Sequence, residues 1–306
     1  MSEQVPQVAP PKSRKGVWIV AAVVALAVVV GVFFAVRGGD DEAAGMTKVK
    51  LGVVGASDPY WKTFKDEAAK EDIDVEVIDF ADYAQPNPSV SEGEIDINQF
   101  QHIIYLADYN VKNDDDLYPI GSTAIYPLGL YSQKVDSVEA IKDGDTVVVP
   151  DDDTNQARAL LLLQSAGLIS LKDGGSPFST LNDVEDSSRV KVQAIKADLT
   201  PTSLPDVAAA VINNDFVEKA GLTFADALVT DDAKDPSAQP YVNIFAVRAE
   251  DKDNATYRKL VEIFQNSQPV IDGLQEVSGN TAEIVKLPGA ELDGTLKDVE
   301  SKIQAQ

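Results

Sequence analysis

Residues 17–36 read VWIVAAVVALAVVVGVFFAV, 20 consecutive positions without a charge. As a helix they would span about 30 Å, the thickness of a bilayer's hydrocarbon core. Lys12, Arg14 and Lys15 precede the run; Arg37 and then Asp40, Asp41 and Glu42 follow it. That asymmetry predicts a transmembrane anchor with a cytoplasmic N-terminus and everything after the helix outside. A cleaved signal sequence competes with this reading. Its apolar stretch is usually shorter, about 7–15 residues, and ends in a small-x-small site that is not evident here. A buried helix of a soluble core fits poorly with an all-apolar run behind a basic flank. The expectation is a single-pass protein of the cell membrane. Its parts are a cytoplasmic tail (1–16), the anchor (17–36), a flexible acidic linker (37–47) and an extracytoplasmic domain.

Composition narrows what that domain does. The chain carries 50 acidic against 26 basic residues, a formal charge of −24. Such a chain repels phosphate backbones, so nucleic acid is excluded as a partner. There is no cysteine. That removes disulfides, thiolate metal sites, thiol nucleophiles and a lipid-modified cysteine anchor. A single histidine, His102, rules out a multi-histidine zinc site. Acidic runs at 114–116 and 151–153 invite a calcium reading. An EF-hand loop starting at Asp151 would put Gln156 where glycine is needed and Leu162 where glutamate is needed, so the motif fails. No glycine-rich phosphate loop is present. An enzyme is the weakest reading, since no nucleophile–base pair suggests itself, and neither cofactor nor metal is expected.

Beyond the linker, the pattern alternates strand and helix. Strands are expected at 49–54, 75–80 and 95–97, with helices at 59–70 and 100–111 between and after them. A β-prone stretch at 117–132 is broken by Gly121 and Pro127. A buried strand at 146–149 leads through PDDDTN into a helix at 156–166 that contains four consecutive leucines. Further strands are read at 190–194, 208–212, 227–229 and 241–247, with helices at 255–267 and 269–278. This is the signature of an α/β layer with a parallel sheet. In the last residues, Leu296, Val299 and Ile303 form a narrow apolar stripe, read as a docking helix.

Open α/β sheets bind ligands beyond the carboxyl ends of their strands. Three segments lie in such places. Asn155 and Arg158 begin the leucine-rich helix, where a guanidinium fork and free backbone N–H groups suit an anion. An arginine there equally snorkels or pairs with Asp151 and Asp153. Phe100, His102 and Tyr105, with Tyr83 upstream, form an aromatic group; such spacing ordinarily packs a core. Asn213 and Asn214 end a buried strand, where asparagine is usually turn chemistry, although its amide can hold an ammonium or carboxylate.

Taken together, these segments resemble the methionine-binding, NlpA-type substrate-binding proteins of ABC importers. The strings that carry the resemblance are DFADYAQPNPSVSEGEIDINQFQHIIYL (79–106), YPLGLYS (126–132), VPDDDTNQARALLLLQSAGLISLKDG (149–174), AAVINNDFVEKAGL (209–222) and PYVNIFAVR (240–248). The likeness spans about 49 to 279. It implies a type II periplasmic-binding fold, two α/β lobes joined by two crossover strands near 126–132 and 235–243. Lobe one would then comprise 48–132 and 235–306, and lobe two 133–234. It also implies an aromatic cage for a thioether at Tyr83, Phe100, His102 and Tyr105. The carboxylate-binding arginine falls on Arg158 and the asparagine that holds the amino-acid backbone on Asn213; Asn155 is a second polar contact.

The implied function is a monomeric, membrane-anchored receptor. It would close two lobes over methionine and deliver it to a permease whose ATPase is a separate chain. Two departures bear on this. The family's lipid-modified cysteine is missing, and Asp151 and Asp153 stand close enough in sequence to compete for Arg158. Two alternatives remain: the same fold binding another small apolar amino acid or a methionine-containing dipeptide, and a surface adhesion or scaffold protein that has lost ligand binding.

Overall fold

The computed structural model describes residues 45–306. The expected tail and anchor, and most of the linker, lie outside the described residues. Among the described residues no helix is long and apolar enough to cross a membrane.

The chain enters on β1 (Thr47–Val53), which alternates exposed and buried residues before its last three positions are all covered. Helix α1 (Pro59–Ala69) starts with proline in its first turn, where the absent N–H has no partner to lose. It buries Tyr60, Trp61, Phe64 and Ala68 on one stripe. Strand β2 (Ile73–Asp79) returns parallel to β1. A short helix α2 (Pro86–Ser91) leads to β3 (Ile97–His102), also parallel to β1. Helix α3 (Ile103–Asn113) and strands β4 (Tyr118–Ser122) and β5 (Ala124–Ile125) end the first pass. The middle of the chain supplies β6 (Gly129–Tyr131), β7 (Thr146–Pro150), α4 (Asp153–Ser165), β8 (Lys191–Ile195), β9 (Ala209–Ile212) and β10 (Val229–Thr230). It then returns through β11 (Asn243–Val247), α5 (Ala255–Asn266), α6 (Gln268–Val277), β12 (Glu283–Ile284) and α7 (Gly289–Gln304).

Two five-stranded sheets result, ordered β2-β1-β3-β11-β4 and β10-β6-β9-β7-β8. Each has a parallel heart. In the first, β11 runs antiparallel between β3 and β4; in the second, β6 runs antiparallel to β9. This is a two-lobed α/β fold. Gly52 in β1 shows how tightly the first lobe is packed: a Cβ there would lie 2.4 Å from Ile95 Cδ1 and 2.8 Å from the Phe80 ring. On one face of the first sheet Phe64, Phe245 and Phe264 pack with Trp61. On the other, Leu292, Leu296 and Val299 of α7 are buried against α3, so the C-terminal helix docks as its stripe indicated. In the second lobe Leu160, Leu162 and Leu163 of α4 are buried in the sheet's core, and Leu161 is half-buried.

Two sequence expectations need correction. The first crossing was placed at 126–132, but Gly129–Tyr131 is a strand of the second sheet, paired with Ile212, Val211 and Ala210. Three residues carry no periodic signal of their own; their partner strand sets them. The second is the boundary between β3 and α3. The sequence reading ends the strand at 97 and starts the helix at 100, because NQFQH (98–102) lacks the apolar alternation of a strand. Those five residues form the strand itself, and all six positions of β3 are buried. Buried amides need partners, and α2 supplies them. Asn87 donates to Gln101 Oε1 at 2.7 Å, and its own oxygen accepts from Asn98 at 2.9 Å and from Gln101 at 2.6 Å. Asn98 Oδ1 accepts from Gln101 at 3.0 Å, closing the network.

The chain passes between the sheets at 126–128 and 231–242. The two passes are stitched together: the Asp231 N–H donates to the Leu128 carbonyl at 3.1 Å, and the Leu128 N–H to Asp231 Oδ1 at 2.8 Å.

Candidate ligand-binding site

The β3–α3 junction fixes His102. Its ring nitrogen Nδ1 accepts the Tyr105 backbone N–H at 3.1 Å and so caps α3. That leaves the proton on Nε2, which faces Asn155 Oδ1 at 3.3 Å. Burial, with the Arg158 charge beside it, lowers the His102 pKa to about 3, so the ring is neutral.

Asn155 is fixed from the other lobe. Asp152 caps α4 by accepting the Asn155 backbone N–H at 2.9 Å, and takes both contacts of the Asn155 Nδ2 group at 2.9 and 3.1 Å. Burial pushes the Asp152 carboxyl up to about 6, against the hydrogen bonds from Asn155 and Thr154 that pull it down. Asn155 Oδ1 is thereby turned to accept from His102 and, at 2.8 Å, from Asn213 Nδ2. The chain of amides ends at Asn213 Oδ1, a buried acceptor with no hydrogen-bond partner. A stranded buried acceptor costs about 1–3 kcal/mol until a donor reaches it.

Arg158 lies one turn along α4 from Asn155. Its Nε donates to Asp231 Oδ2 at 2.7 Å, and Nη2 donates to Asp231 Oδ1 at 3.2 Å and to the Tyr126 carbonyl at 2.8 Å. The guanidinium lies 4.4 Å above the Tyr241 ring. Neither Asp151 nor Asp153 pairs with it, contrary to the sequence expectation. Asp152 caps the helix instead, and Asp153 pairs with Lys112 of α3. The arginine is nonetheless paired, by an acid 73 positions further on.

The aromatic group forms on the facing lobe. Tyr83 lies 5.9 Å from Phe100 and 6.3 Å from Tyr105, and Phe100 meets Tyr105 edge-on at 5.7 Å. The Tyr105 hydroxyl donates to the Tyr83 carbonyl at 2.9 Å. The Tyr83 hydroxyl crosses to the second lobe and donates to Asp215 Oδ2 at 2.7 Å. Burial, reinforced by Asp58, raises the Asp215 pKa to about 7 while the Tyr83 hydrogen bond opposes the rise.

All seven residues singled out in the sequence line one small cavity between the lobes. Tyr126, Asn214 and Asn243 line it too, and these three with Phe100 are shared with a neighbouring compartment. Sequence reasoning missed Tyr126, Asp231, Tyr241 and Phe216, whose ring lies 5.0 Å from that of Tyr83. Three of these sat inside the quoted strings; Asp231 lies in a stretch with no motif at all.

Comparison with known proteins agrees with the architecture. The profile of a family described as NlpA lipoprotein matches residues 49–285. The D-methionine-binding lipoprotein MetQ of Salmonella typhi is 40% identical over 227 residues, 72% of this chain and 82% of that one. The crystal structure of protein PG110 from Staphylococcus aureus superposes with a TM-score of 0.78 at 37% identity, covering 82% of this chain and 99% of that chain. A nutrient-binding protein from Burkholderia cenocepacia, bound to methionine, gives a TM-score of 0.72 at 34% identity, covering 77% of this chain and 99% of its own.

Proposed function

Because the chain belongs to the NlpA lipoprotein family, we propose that it is a methionine-binding, substrate-binding protein of an ABC importer. It is a receptor and not an enzyme. The observation that carries the ligand reading is the unpaired, buried Asn213 Oδ1 in a cavity that also holds the open Nη1 edge of Arg158 and an aromatic wall. An amino acid matches all three. Its ammonium donates to Asn213, its carboxylate accepts from Arg158, and its thioether lies against Tyr83, Phe100 and Tyr105. Sulfur–aromatic contacts contribute about 0.3–1.5 kcal/mol each. His102, neutral and tied to Asn155, holds that polar end in register.

Lobe one on this reading is 46–125 with 243–306, lobe two is 129–230, and the passes at 126–128 and 231–242 are the hinge. Closing over the ligand joins the lobes through Tyr83–Asp215, His102–Asn155 and Lys112–Asp153. The closed form is then presented to the transporter's membrane subunits, with the permease and ATPase in other chains.

The chain is membrane-anchored, as its family is. Family members are named lipoproteins, yet this chain has no cysteine thiol to carry a lipid. The uncharged run at 17–36 is the anchor we assign, with the binding domain on the extracytoplasmic side. The adjoining compartment favours a second reading of the ligand, a methionine-containing dipeptide whose extra residue occupies that space.

Calorimetric titration of the purified, ligand-stripped full chain tests this, with L-methionine, D-methionine, leucine and glycyl-methionine as titrants. Saturable one-to-one binding of methionine is expected, weakened about 10- to 100-fold by Asn213→Ala through the lost charged hydrogen bond. A folded chain that gives no heat with any of them would remove the methionine reading.

A further inference from the structure

Arg158 reaches the cavity already committed. Asp231 occupies its Nε–Nη2 edge and the Tyr126 carbonyl takes a further Nη2 hydrogen. Only Nη1 has no protein partner among the described residues. The arginine side chain is 6% exposed and that of Asp231 26%, so the pair is partly shielded from water. Among the described residues that line the cavity, Arg158 is the only charged one, since His102 is neutral. Asp231 stands behind it, outside the wall. Its Oδ1 also holds the Leu128 N–H, which fixes the counter-charge where the two hinge passes meet.

An unpaired guanidinium in such a cavity would draw any carboxylate. A paired one offers one open nitrogen and a largely cancelled charge, beside the unsatisfied acceptor Asn213 Oδ1. A ligand with one carboxylate and one ammonium fits both. A monoanion of the same shape brings its charge toward Asp231 with nothing to offset it. Building on the methionine reading above, we infer that Asp231 is a specificity-determining residue: by neutralising Arg158 it makes the cleft select zwitterionic amino acids over monoanions of the same shape.

The test uses three ligands of one length: L-methionine; 4-(methylsulfanyl)butanoate, which lacks the ammonium; and 3-(methylsulfanyl)propylamine, which lacks the carboxylate. Each is titrated into the native full chain and into Asp231→Asn and Asp231→Glu. In the native chain and in Asp231→Glu the butanoate binds at least about 100-fold more weakly than methionine, because it leaves Asn213 unpaired as well. In Asp231→Asn the butanoate gains on the order of tenfold relative to methionine and the amine loses a similar factor, since the removed charge acts on the two with opposite sign. A common loss for all three ligands in Asp231→Asn would mean that the residue only supports the fold, and would overturn the inference. So would a native chain that binds the butanoate as tightly as methionine, a result that needs no variant to fold. A native chain that binds no methionine overturns the ligand reading itself, and this inference with it.

Discussion

Replacing Asn87 with alanine tests the least intuitive part of the fold, the polar strand β3 buried at the cavity wall. Asn87, Asn98 and Gln101 are 1%, 0% and 3% exposed, so water cannot take over a lost hydrogen bond. Removing the Asn87 amide strands Gln101 Oε1, for which it is the donor, and takes from Asn98 Nδ2 its partner at 2.9 Å, leaving only the Pro86 carbonyl at 3.5 Å. Gln101 Nε2 keeps Asn98 Oδ1. One buried group stranded outright and a second left with a single long contact, at up to about 1–3 kcal/mol each, give an expected loss of about 2–6 kcal/mol. Asp66→Ala is the control. It breaks an ion pair on α1 whose side chains are 81% and 60% exposed, and such pairs contribute about 0.5 kcal/mol or less. Urea unfolding followed by circular dichroism measures both variants. Asn87→Ala also weakens methionine binding, because β3 carries Phe100 and His102. Equal, sub-kilocalorie losses in the two variants would refute the reasoning, since they would show the amides to be solvated.

The remaining predictions concern protons. The protein has one histidine, so a single imidazole signal is followed by proton NMR; it holds its neutral shift as pH falls through 6.5 and moves only toward about 3, and a midpoint near 6.5 would contradict the buried capping geometry. Because the unfolded His102 gains its proton near 6.5 and the folded one does not, its contribution to stability is present above that pH and is lost as pH falls toward 3. Asp215 acts the other way: folded, its carboxyl keeps a proton up to about 7, which the unfolded chain releases near its ordinary value, so its contribution is lost as pH rises from about 4 to about 7. Carbon-13 carboxyl titration reads this directly, and Tyr83→Phe, which removes the hydrogen bond that lowers the value, moves the midpoint higher; a downward shift would contradict the Tyr83–Asp215 contact.

Legibility in the sequence followed physical type. Strands such as Ile73–Asp79 and helices such as Ala255–Asn266 carried their own apolar periodicity and were readable to within a few residues. The C-terminal docking helix was readable from three apolar positions, though it begins earlier, at Gly289. The strand β3 was misread because its polar residues are satisfied by partners on α2, a fact of tertiary structure with no local signal. Six of the seven candidate site residues came from segments at the carboxyl ends of strands or at a helix start, and Tyr83 was grouped with the aromatics from further upstream. For Arg158 the sequence offered only the nearest acids as protein partners, and the structure gives Asp231. Proximity in sequence is a poor guide at this helix start, where Asp152 caps the helix and Asp153 pairs with Lys112.

The most direct test is a crystal structure of the chain with selenomethionine supplied only as ligand, read from the selenium anomalous signal. The account predicts one strong peak among the rings of Tyr83, Phe100 and Tyr105, with the ligand's carboxylate at Arg158 Nη1 and its ammonium at Asn213 Oδ1. A peak in the adjoining compartment beside Phe224 and Leu274, or no peak between the lobes, would contradict it.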